Sequence, residues 1–177
     1  MLSVSSFVVL CLLFLQVVIA RTLETGTYLI VDNQGYYLGL GPVNPIYPPP
    51  DVPARLFASG THAVHWHVKQ VNGGAVTISL GQGLPNDYKL VAKGDSVFAS
   101  AQKTPQVWSV TSAGDFKYVI QLEYQDEVFT AHPLSEREVT LERAKGKPNQ
   151  QWSFIRIDRE VNYHRGSTNR FCKQEAW

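Results

Sequence analysis

If their spacing brought them together, the histidines and carboxylates of this sequence could bind a metal ion or carry out acid–base catalysis. His65 and His67 flank Trp66 on a stretch with strand-like alternation, so both imidazoles lie on the face opposite the tryptophan. With His62 nearby, the group has the donor type that Zn²⁺ and Cu²⁺ accept. No carboxylate or thiolate completes the motif, and solvent-facing histidines outside a barrel explain it better. We therefore expect no metal site.

Motifs of hydrolytic or nucleotide-dependent enzymes are missing from the sequence. It contains no G-x-S-x-G, no H-E-x-x-H and no glycine-rich phosphate loop. The carboxylates are scattered, and no spacing pairs two of them for acid–base work. We expect no catalytic residues, no enzymatic activity and no cofactor.

Proline is concentrated in one stretch, GPVNPIYPPPDVPAR at residues 41–55, which holds six of the ten prolines. Strand-like segments lie on both sides, so this stretch is a connection within a sheet. Proline fixes φ near about −65° and favours extended polyproline II geometry. A plain spacer would use Gly and Ser instead. The composition indicates a long surface loop that is stiff and extended.

The chain divides into three regions by composition. Residues 1–20 contain no charged side chain and end in the small-residue pattern Val18-Ile19-Ala20, which is typical of a secretory signal peptide. Residues 21–157 alternate short β-rich segments with turn residues and form one domain. Residues 158–177 are polar and aperiodic, which is typical of a disordered C-terminal extension. We expect a secreted, extracellular protein.

Charge and cysteine content narrow the classes of partner. The formal net charge is +1 with acids and bases interspersed, which argues against binding to nucleic acid or to a membrane surface. Cleavage after residue 20 removes Cys11 and leaves Cys172, so no intramolecular disulfide can form. Cys172 is then a free thiol in the tail or pairs with another chain. We expect a monomer that is stabilised by packing.

Three tryptophans mark an internal repeat. They lie in HWHVKQV at 65–71, QVWSV at 106–110 and QQWSFIRI at 150–157, with Trp66, Trp108 and Trp152 spaced by 42 and 44 residues. An apolar residue follows each tryptophan two positions on, so period-2 alternation places both on one buried face. Twelve short candidate strands in three units of four predict an all-β protein with a pseudo-threefold barrel capped by hairpins, the β-trefoil.

Two of these segments also match the Q-x-W signature of ricin-type lectin trefoils, at Gln106-x-Trp108 and Gln150-x-Trp152. The likeness to those lectins implies carbohydrate binding, which needs an Asp and an aromatic platform on the hairpins of each repeat. Each unit offers an acid with an aromatic residue near it: Asp32 with Tyr36 and Tyr37, Asp87 with Tyr88, and Asp126 with Phe129. None stands in a clearly repeated context, so a lectin is the alternative function.

A more extensive resemblance is carried by Leu23-Glu-Thr-Gly-Thr-Tyr28, Tyr37-Leu-Gly39, the proline-containing loop and the Trp-x-Val strand at 66–68. With the two Q-x-W segments, they resemble the fungal β-trefoil serine protease inhibitors of the cospin and cnispin type over about residues 23–157. The secretion signal and the C-terminal extension are departures from that pattern. The resemblance implies an inhibitor of trypsin-like serine endopeptidases that presents an exposed loop, here residues 41–54.

The candidate protease-binding residues lie in this loop and just after it: Asn44, Pro45, Ile46, Tyr47 and Arg55. Position in the loop favours Asn44 as the residue that enters the protease pocket, although the proline after it disfavours a substrate-like fit. Electrostatics favours Arg55, because a trypsin-like pocket carries an acid that pairs with guanidinium. Further candidates lie on other turns: Lys89, Lys93 and Lys103.

A cysteine protease inhibitor is the second inhibitor hypothesis. Mycocypin-like trefoils occlude papain-like proteases with small-residue hairpins, and Asn33-Gln-Gly35 and Asn72-Gly-Gly74 are turns of that general kind. The same scaffold supports inhibition of both protease classes, so fold alone does not choose between them.

Overall fold

A computed structural model of the 177-residue chain describes residues 22–43, 46–58, 64–80, 87–134 and 137–157. Four of the sequence-based predictions therefore lie outside the described residues. They concern the signal peptide at 1–20, the polar extension at 158–177 with Cys172, the histidine at 62, and the loop residues Asn44 and Pro45.

Short β-strands make up most of the described chain, as the alternation of apolar and turn residues predicts. In chain order they are β1 Gly26–Asp32, β2 Tyr37–Leu40, β3 Val52–Phe57, β4 Trp66–Gln70, β5 Ala75–Leu80, β6 Lys89–Lys93, β7 Ser96–Ser100, β8 Trp108–Gly114, β9 Lys117–Leu122, β10 Glu127–Ala131, β11 Val139–Arg143 and β12 Trp152–Arg156. A turn of 3-10 helix, Pro148–Gln150, precedes β12. Every second side chain of β3 is buried, which is the period that a strand with one inward face requires.

Hydrogen bonds join all twelve described strands into one sheet that closes on itself. Strands β1, β4, β5, β8, β9 and β12 pair antiparallel in this order, and β12 pairs with β1 to complete a ring. The other strands form the hairpins β2–β3, β6–β7 and β10–β11. Each hairpin is bonded to the ring, through β1–β2, β5–β6 and β9–β10, and the hairpins are bonded to one another through β3–β7 and β7–β11.

This pairing corrects the predicted β-trefoil of three four-strand units. The prediction treated the tryptophan-containing segments as repeats around a barrel that hairpins only cap. The structure is a closed barrel in which barrel and hairpin strands belong to one continuous sheet of twelve strands. Tryptophan spacing correctly indicated equivalent buried strands, but it carries no information about hydrogen bonds between one unit and the next. The all-β class stands, whereas the division into three units was wrong.

The three tryptophans form the centre of the core, as their spacing predicts. Trp66, Trp108 and Trp152 are fully buried, and each lies at the start of a ring strand. Each indole Nε1–H donates to a backbone carbonyl on a hairpin strand: to Leu38 at 2.8 Å, to Leu90 at 3.4 Å and to Phe129 at 3.1 Å, respectively. A buried indole N–H needs such a partner, so the same bonds that satisfy the tryptophans tie the hairpins to the ring.

Within the described ranges, no helix has the length and apolar character that a membrane crossing requires.

Candidate functional site

The connection between β2 and β3 projects an apolar tip into solvent. Tyr47 is 95% exposed and Ile46 is 60% exposed, although both are large hydrophobic side chains. The peptide bond between Tyr47 and Pro48 is cis. Strand β3 begins at Val52, so the loop is shorter than the predicted range of residues 41–54. Two adjacent large apolar side chains exposed on a loop form a candidate surface for binding another molecule.

Polar contacts on both sides fix the base of this loop. At its start, the backbone N–H of Gly41 donates to the carbonyl oxygen of Pro53 at 3.0 Å. Near its end, Nε2 of Gln102 donates to the carbonyl oxygen of Pro49 at 2.7 Å, and Pro49 is buried. The tip is therefore carried on a segment whose two ends are held against β3 and against the chain that follows β7.

Asp51 forms a further anchor at the end of the loop. A hydrogen bond from the Ser100 side chain holds the pKa of this carboxyl below its ordinary value of 3.8. Desolvation opposes that shift, and Lys93, whose Nζ lies 3.3 Å from Oδ2 of Asp51, reinforces it. Because Lys93 and Ser100 belong to β6 and β7, the carboxylate joins the loop to the neighbouring hairpin.

Arg55 lies apart from the loop tip, in the middle of β3. Its backbone pairs with Gly39 on one side and forms a bridge to Glu138 on the other. Its Nη2 lies 3.3 Å from Oε1 of Glu138, so the guanidinium already has an acidic partner. The structure thus brings Ile46 and Tyr47 together at the tip and separates Arg55 from them. That Arg55 enters a protease pocket stays a prediction, and binding there would have to replace the Glu138 pair.

An apolar cavity of about 540 Å³ lies beside the start of the loop. It is lined mainly by apolar side chains of β2, β3, the loop, the stretch just before β4 and the end of β5: Leu40, Gly41, Pro42, Val43, Arg55, Phe57, Val64 and Leu80. The Nε of Arg55 is buried here and has no hydrogen-bond partner among the described residues. The cavity extends the apolar surface of the loop inward.

The two turns proposed for cysteine protease inhibition, at 33–35 and 72–74, do not lie together. Gly26 of β1 pairs with Val68 of β4, and the two strands run antiparallel. The turn at 33–35 follows the C-terminal end of β1, and the turn at 72–74 follows the C-terminal end of β4. Because the two strands are antiparallel, these turns lie at opposite ends of the strand pair. A protease that contacts one of them is therefore far from the other.

Asp32, one of the three acids proposed for sugar binding, has a structural role. Asp32 is buried, and its Oδ1 accepts hydrogen bonds from the backbone N–H of Gln34 and of Tyr36, both at 2.8 Å. It thereby holds the turn after β1. Of the aromatic residues proposed as platforms, Tyr88 and Phe129 are buried in the core. These residues cannot present a ring to a sugar in this arrangement.

The two described histidines of the motif, His65 and His67, lie beside and within β4. His67 pairs with Thr27 on one side and Ser79 on the other, and His65 is exposed at the start of β4. No group of three or more His, Cys, Asp or Glu side chains placed to hold a metal ion occurs in the part of the chain that the structure describes.

Sequence reasoning missed a second cleft, of about 620 Å³, at the ends of β5, β8 and β9. Its outer wall carries Tyr124, which is 96% exposed and has a left-handed φ of 62°. In the sequence this residue is one of several tyrosines near a predicted strand. Its backbone conformation and its neighbours across three strands leave no pattern in residue type or spacing, so no signal singled it out.

No family model and no curated protein matches the sequence. Solved structures do match its fold. A proteinase inhibitor from Coprinopsis cinerea is 12% identical, with a TM-score of 0.62 over 76% of this chain and 99% of its own. The Rhizoctonia solani agglutinin is 20% identical, with a TM-score of 0.60 over 77% of this chain and 99% of its own. A protein described as BEL beta-trefoil is 11% identical, with a TM-score of 0.56 over 76% and 95%.

These similarities show that the fold is shared with an inhibitor, with an agglutinin and with a protein described as a β-trefoil. At such low identity they do not extend to individual side chains, because one fold supports unrelated binding sites. The function must therefore be argued from the surface that this chain itself presents.

Proposed function

We propose that the protein is a non-catalytic inhibitor of serine endopeptidases that binds its target through the β2–β3 loop, with trypsin-like enzymes as the first targets to test. The observation that carries the proposal is the exposed apolar tip, Ile46 and Tyr47, on a loop whose base is fixed by polar contacts. The fold shared with a fungal proteinase inhibitor supports it.

The anchoring of the loop matters because the loop must adopt one conformation when it binds a protease. Immobilising a flexible segment costs about 0.5–1.5 kcal/mol for each side chain that loses its freedom. A loop that Gln102, Asp51 and the Gly41–Pro53 bond already hold has less freedom to lose. Its prolines restrict the backbone further. The same stiffness would oppose the rearrangement that cleavage of the loop requires.

Two kinds of contact with a protease remain open, and they predict different targets. If Tyr47 or Ile46 enters the specificity pocket, the preferred enzyme has an apolar pocket, as chymotrypsin-like proteases do. If Arg55 supplies the contact, the preferred enzyme has an acid in its pocket and is trypsin-like. The second mode would also require Arg55 to leave Glu138.

The test is a titration of the purified protein against trypsin, chymotrypsin, subtilisin and papain, each with a small chromogenic substrate. Stoichiometric loss of activity of at least one serine protease is expected. Tyr47→Ala should weaken that inhibition by about 30-fold if the exposed ring is a contact at the centre of the interface. Tyr124→Ala is the matched control, because Tyr124 is an equally exposed tyrosine on a different turn and should leave inhibition unchanged.

The outcomes separate the hypotheses. Inhibition of trypsin that Arg55→Ala abolishes and Tyr47→Ala does not would assign the contact to Arg55. Inhibition of papain alone would replace the proposal by the cysteine protease hypothesis. If no serine protease loses activity at micromolar concentrations of the protein, the proposal is wrong.

We also propose that the protein is exported, on the basis of the uncharged apolar residues 1–20. The protein recovered from the medium of a secreting host should then begin at Arg21, as N-terminal sequencing would show. Recovery in the cell fraction with residues 1–20 still attached would contradict export.

A further inference from the structure

The second cleft, at the ends of β5, β8 and β9, has a floor of small and polar side chains. These side chains lie side by side on the three adjacent strands. Ala75 of β5 pairs with Ser109 of β8, and Ser109 pairs with Gln121 of β9. The three residues therefore form a row across the sheet, and all are partly exposed. Ala75 and Ser109 are too small to fill the space above them, so a hollow remains between the turns on either side.

The two walls of the cleft are tight turns. On one side, the turn at Asn72–Gly73 is closed by a hydrogen bond from the N–H of Ala75 to the carbonyl oxygen of Asn72 at 2.9 Å. On the other side, the N–H of Gln125 donates to the carbonyl oxygen of Leu122 at 3.1 Å. Both walls are thus held by backbone hydrogen bonds to the ends of strands.

Tyr124 stands at the third position of the second turn, with its ring in solvent. A positive φ at this position favours Gly or Asn, so a tyrosine is held there against its backbone preference. A further bond, from Nε2 of Gln121 to the carbonyl oxygen of Gln125 at 2.7 Å, braces the turn. An exposed aromatic ring in a disfavoured conformation contributes little to folding, and such positions cluster at binding sites.

The side chains around the ring define the chemistry of a ligand. The lining offers uncharged amides and hydroxyls, which both donate and accept hydrogen bonds, and two carboxylates. These polar side chains are Asn72, Ser109, Gln121, Glu123, Gln125 and Asp126. Among the described residues that line the cleft, none is Lys or Arg, so an anionic ligand is disfavoured. Asp126 is itself paired with Arg143, at 2.9 Å.

We propose that this cleft binds a neutral oligosaccharide, with one sugar ring stacked on Tyr124. The C–H face of a pyranose is apolar and matches the face of an exposed aromatic ring. Its hydroxyl groups match the amide of Gln121 and the hydroxyl of Ser109 on the floor, which offer both donors and acceptors. The site shares no residue with the β2–β3 loop and is therefore independent of inhibition through that loop, whereas its Asn72 and Gly73 belong to the turn named above for cysteine protease inhibition.

The test is isothermal titration of the purified protein with four neutral sugars: chitotriose, cellotriose, mannotriose and lactose. At least one is expected to bind with a dissociation constant in the millimolar range or below. Tyr124→Gly should bind that sugar about tenfold more weakly, because it removes the stacking ring. Tyr124→Phe should bind it within about twofold of the unchanged protein, because it retains the ring.

Two measurements test whether Tyr124→Gly loses affinity because the protein is destabilised or because any exposed aromatic residue has been removed. Tyr124→Gly should unfold at a temperature no lower than the unchanged protein, because glycine adopts positive φ without steric cost. Phe116→Gly is the matched control, since Phe116 is also an exposed aromatic residue with positive φ, on the turn between β8 and β9. Phe116→Gly should bind the sugar with the same affinity as the unchanged protein.

Three results would overturn the proposal. The first is that none of the four sugars binds at millimolar concentration. The second is that Tyr124→Gly binds as well as the unchanged protein. The third is that Tyr124→Phe loses as much affinity as Tyr124→Gly, since stacking would then not be the interaction.

Discussion

The amide of Gln150 is fully buried and has three hydrogen-bond partners around the turn that leads into β12. Its Nε2 donates to Oγ1 of Thr130 at 3.2 Å and to the carbonyl oxygen of Arg143 at 3.0 Å. Its Oε1 accepts from the backbone N–H of Lys145 at 2.8 Å. Gln150 thereby joins β10, the end of β11 and the start of β12. The corresponding residues before the other two tryptophans, Val64 and Gln106, are only partly buried.

Gln150→Leu should therefore lower the free energy of unfolding by about 2–3 kcal/mol, since it removes all three hydrogen bonds of a fully buried amide. Urea denaturation followed by tryptophan fluorescence measures the change. Gln106→Leu, at the same place in the motif, should cost less than about 0.5 kcal/mol because that side chain is partly exposed. Equal losses in both variants would contradict this role for Gln150.

Residue type predicted the buried tryptophans, but it did not predict a residue whose role depends on its backbone conformation and on strand register. Trp66, Trp108 and Trp152 could be assigned to the core because a large apolar ring that recurs at equivalent strand positions has few other places to go. Tyr124 could not be found in this way. Its role depends on a backbone angle and on the register of three strands, and neither is encoded in residue type at one position.

At the scale of elements, the β2–β3 loop depends on the neighbouring β6–β7 hairpin. Asp51 ends the loop and is held by Ser100 and Lys93 of that hairpin. Without this contact, the bond from Gln102 to Pro49 and the pairing of Val52 with Ala99 would still hold the end of the loop, but its side-chain link to the hairpin would be lost. Its geometry is therefore set by residues far from it in the sequence.

Asp51 makes this anchor dependent on pH. Because the folded-state pKa lies below the ordinary value of 3.8, the carboxylate stabilises the fold above that value. The contribution is lost as the pH falls from about 4 through the folded-state pKa. Asp51→Asn should consequently lower the melting temperature at pH 7, and the difference from the unchanged protein should shrink below about pH 4.

Thermal denaturation at pH 7, 5 and 3 measures this dependence. Asp115→Asn, at an exposed position on the turn between β8 and β9, is the control and should show a difference that varies little with pH. A deficit for Asp51→Asn that persists undiminished at pH 3 would show that the charge of Asp51 is not what holds the loop.

Strands were easier to predict than the loop between them. Twelve short strands were predicted and the described residues contain twelve, because the alternation of apolar and polar residues is regular and turn residues bound it. The resemblance to trefoil inhibitors placed the loop at residues 41–54, and proline is uncommon within strands. Pro53 nevertheless lies within β3, where its carbonyl oxygen accepts the N–H of Gly41.

At the scale of the whole molecule, the continuity of the sheet makes the three tryptophan-bearing regions depend on one another. The ring strands β5, β8 and β9 bring together segments from successive regions of the chain. The hairpin strands β3, β7 and β11 do the same outside the ring. No region can lose its strands without leaving backbone groups of another without partners.

The protein should therefore unfold in one cooperative transition. Urea denaturation curves from far-ultraviolet circular dichroism and from tryptophan fluorescence should coincide, because every described tryptophan lies in the same core. Two separated transitions would instead indicate units that fold independently, as a chain of autonomous repeats would.

Spacing along the chain could not reveal this continuity. Tryptophans spaced by 42 and 44 residues indicated three similar segments, which is a statement about local pattern. Whether similar segments stay separate or merge into one sheet depends on pairs such as Val52 with Ala99 and Thr140 with Ser96. These pairs join residues that are far apart in sequence, and no local pattern links them.

The closure of the sheet has a consequence for how the protein can meet a partner. Each of the twelve described strands pairs with at least two others, and four of these pairings, β1–β2, β5–β6, β9–β10 and β7–β11, consist of a single residue pair. A protease or another copy of the chain thus finds no described strand that is unpaired along one whole side, which disfavours the addition of a strand of its own. Templated strand addition, which drives much protein aggregation, is disfavoured for the same reason. Recognition is left to turns and side chains, which can vary while the sheet beneath them stays intact.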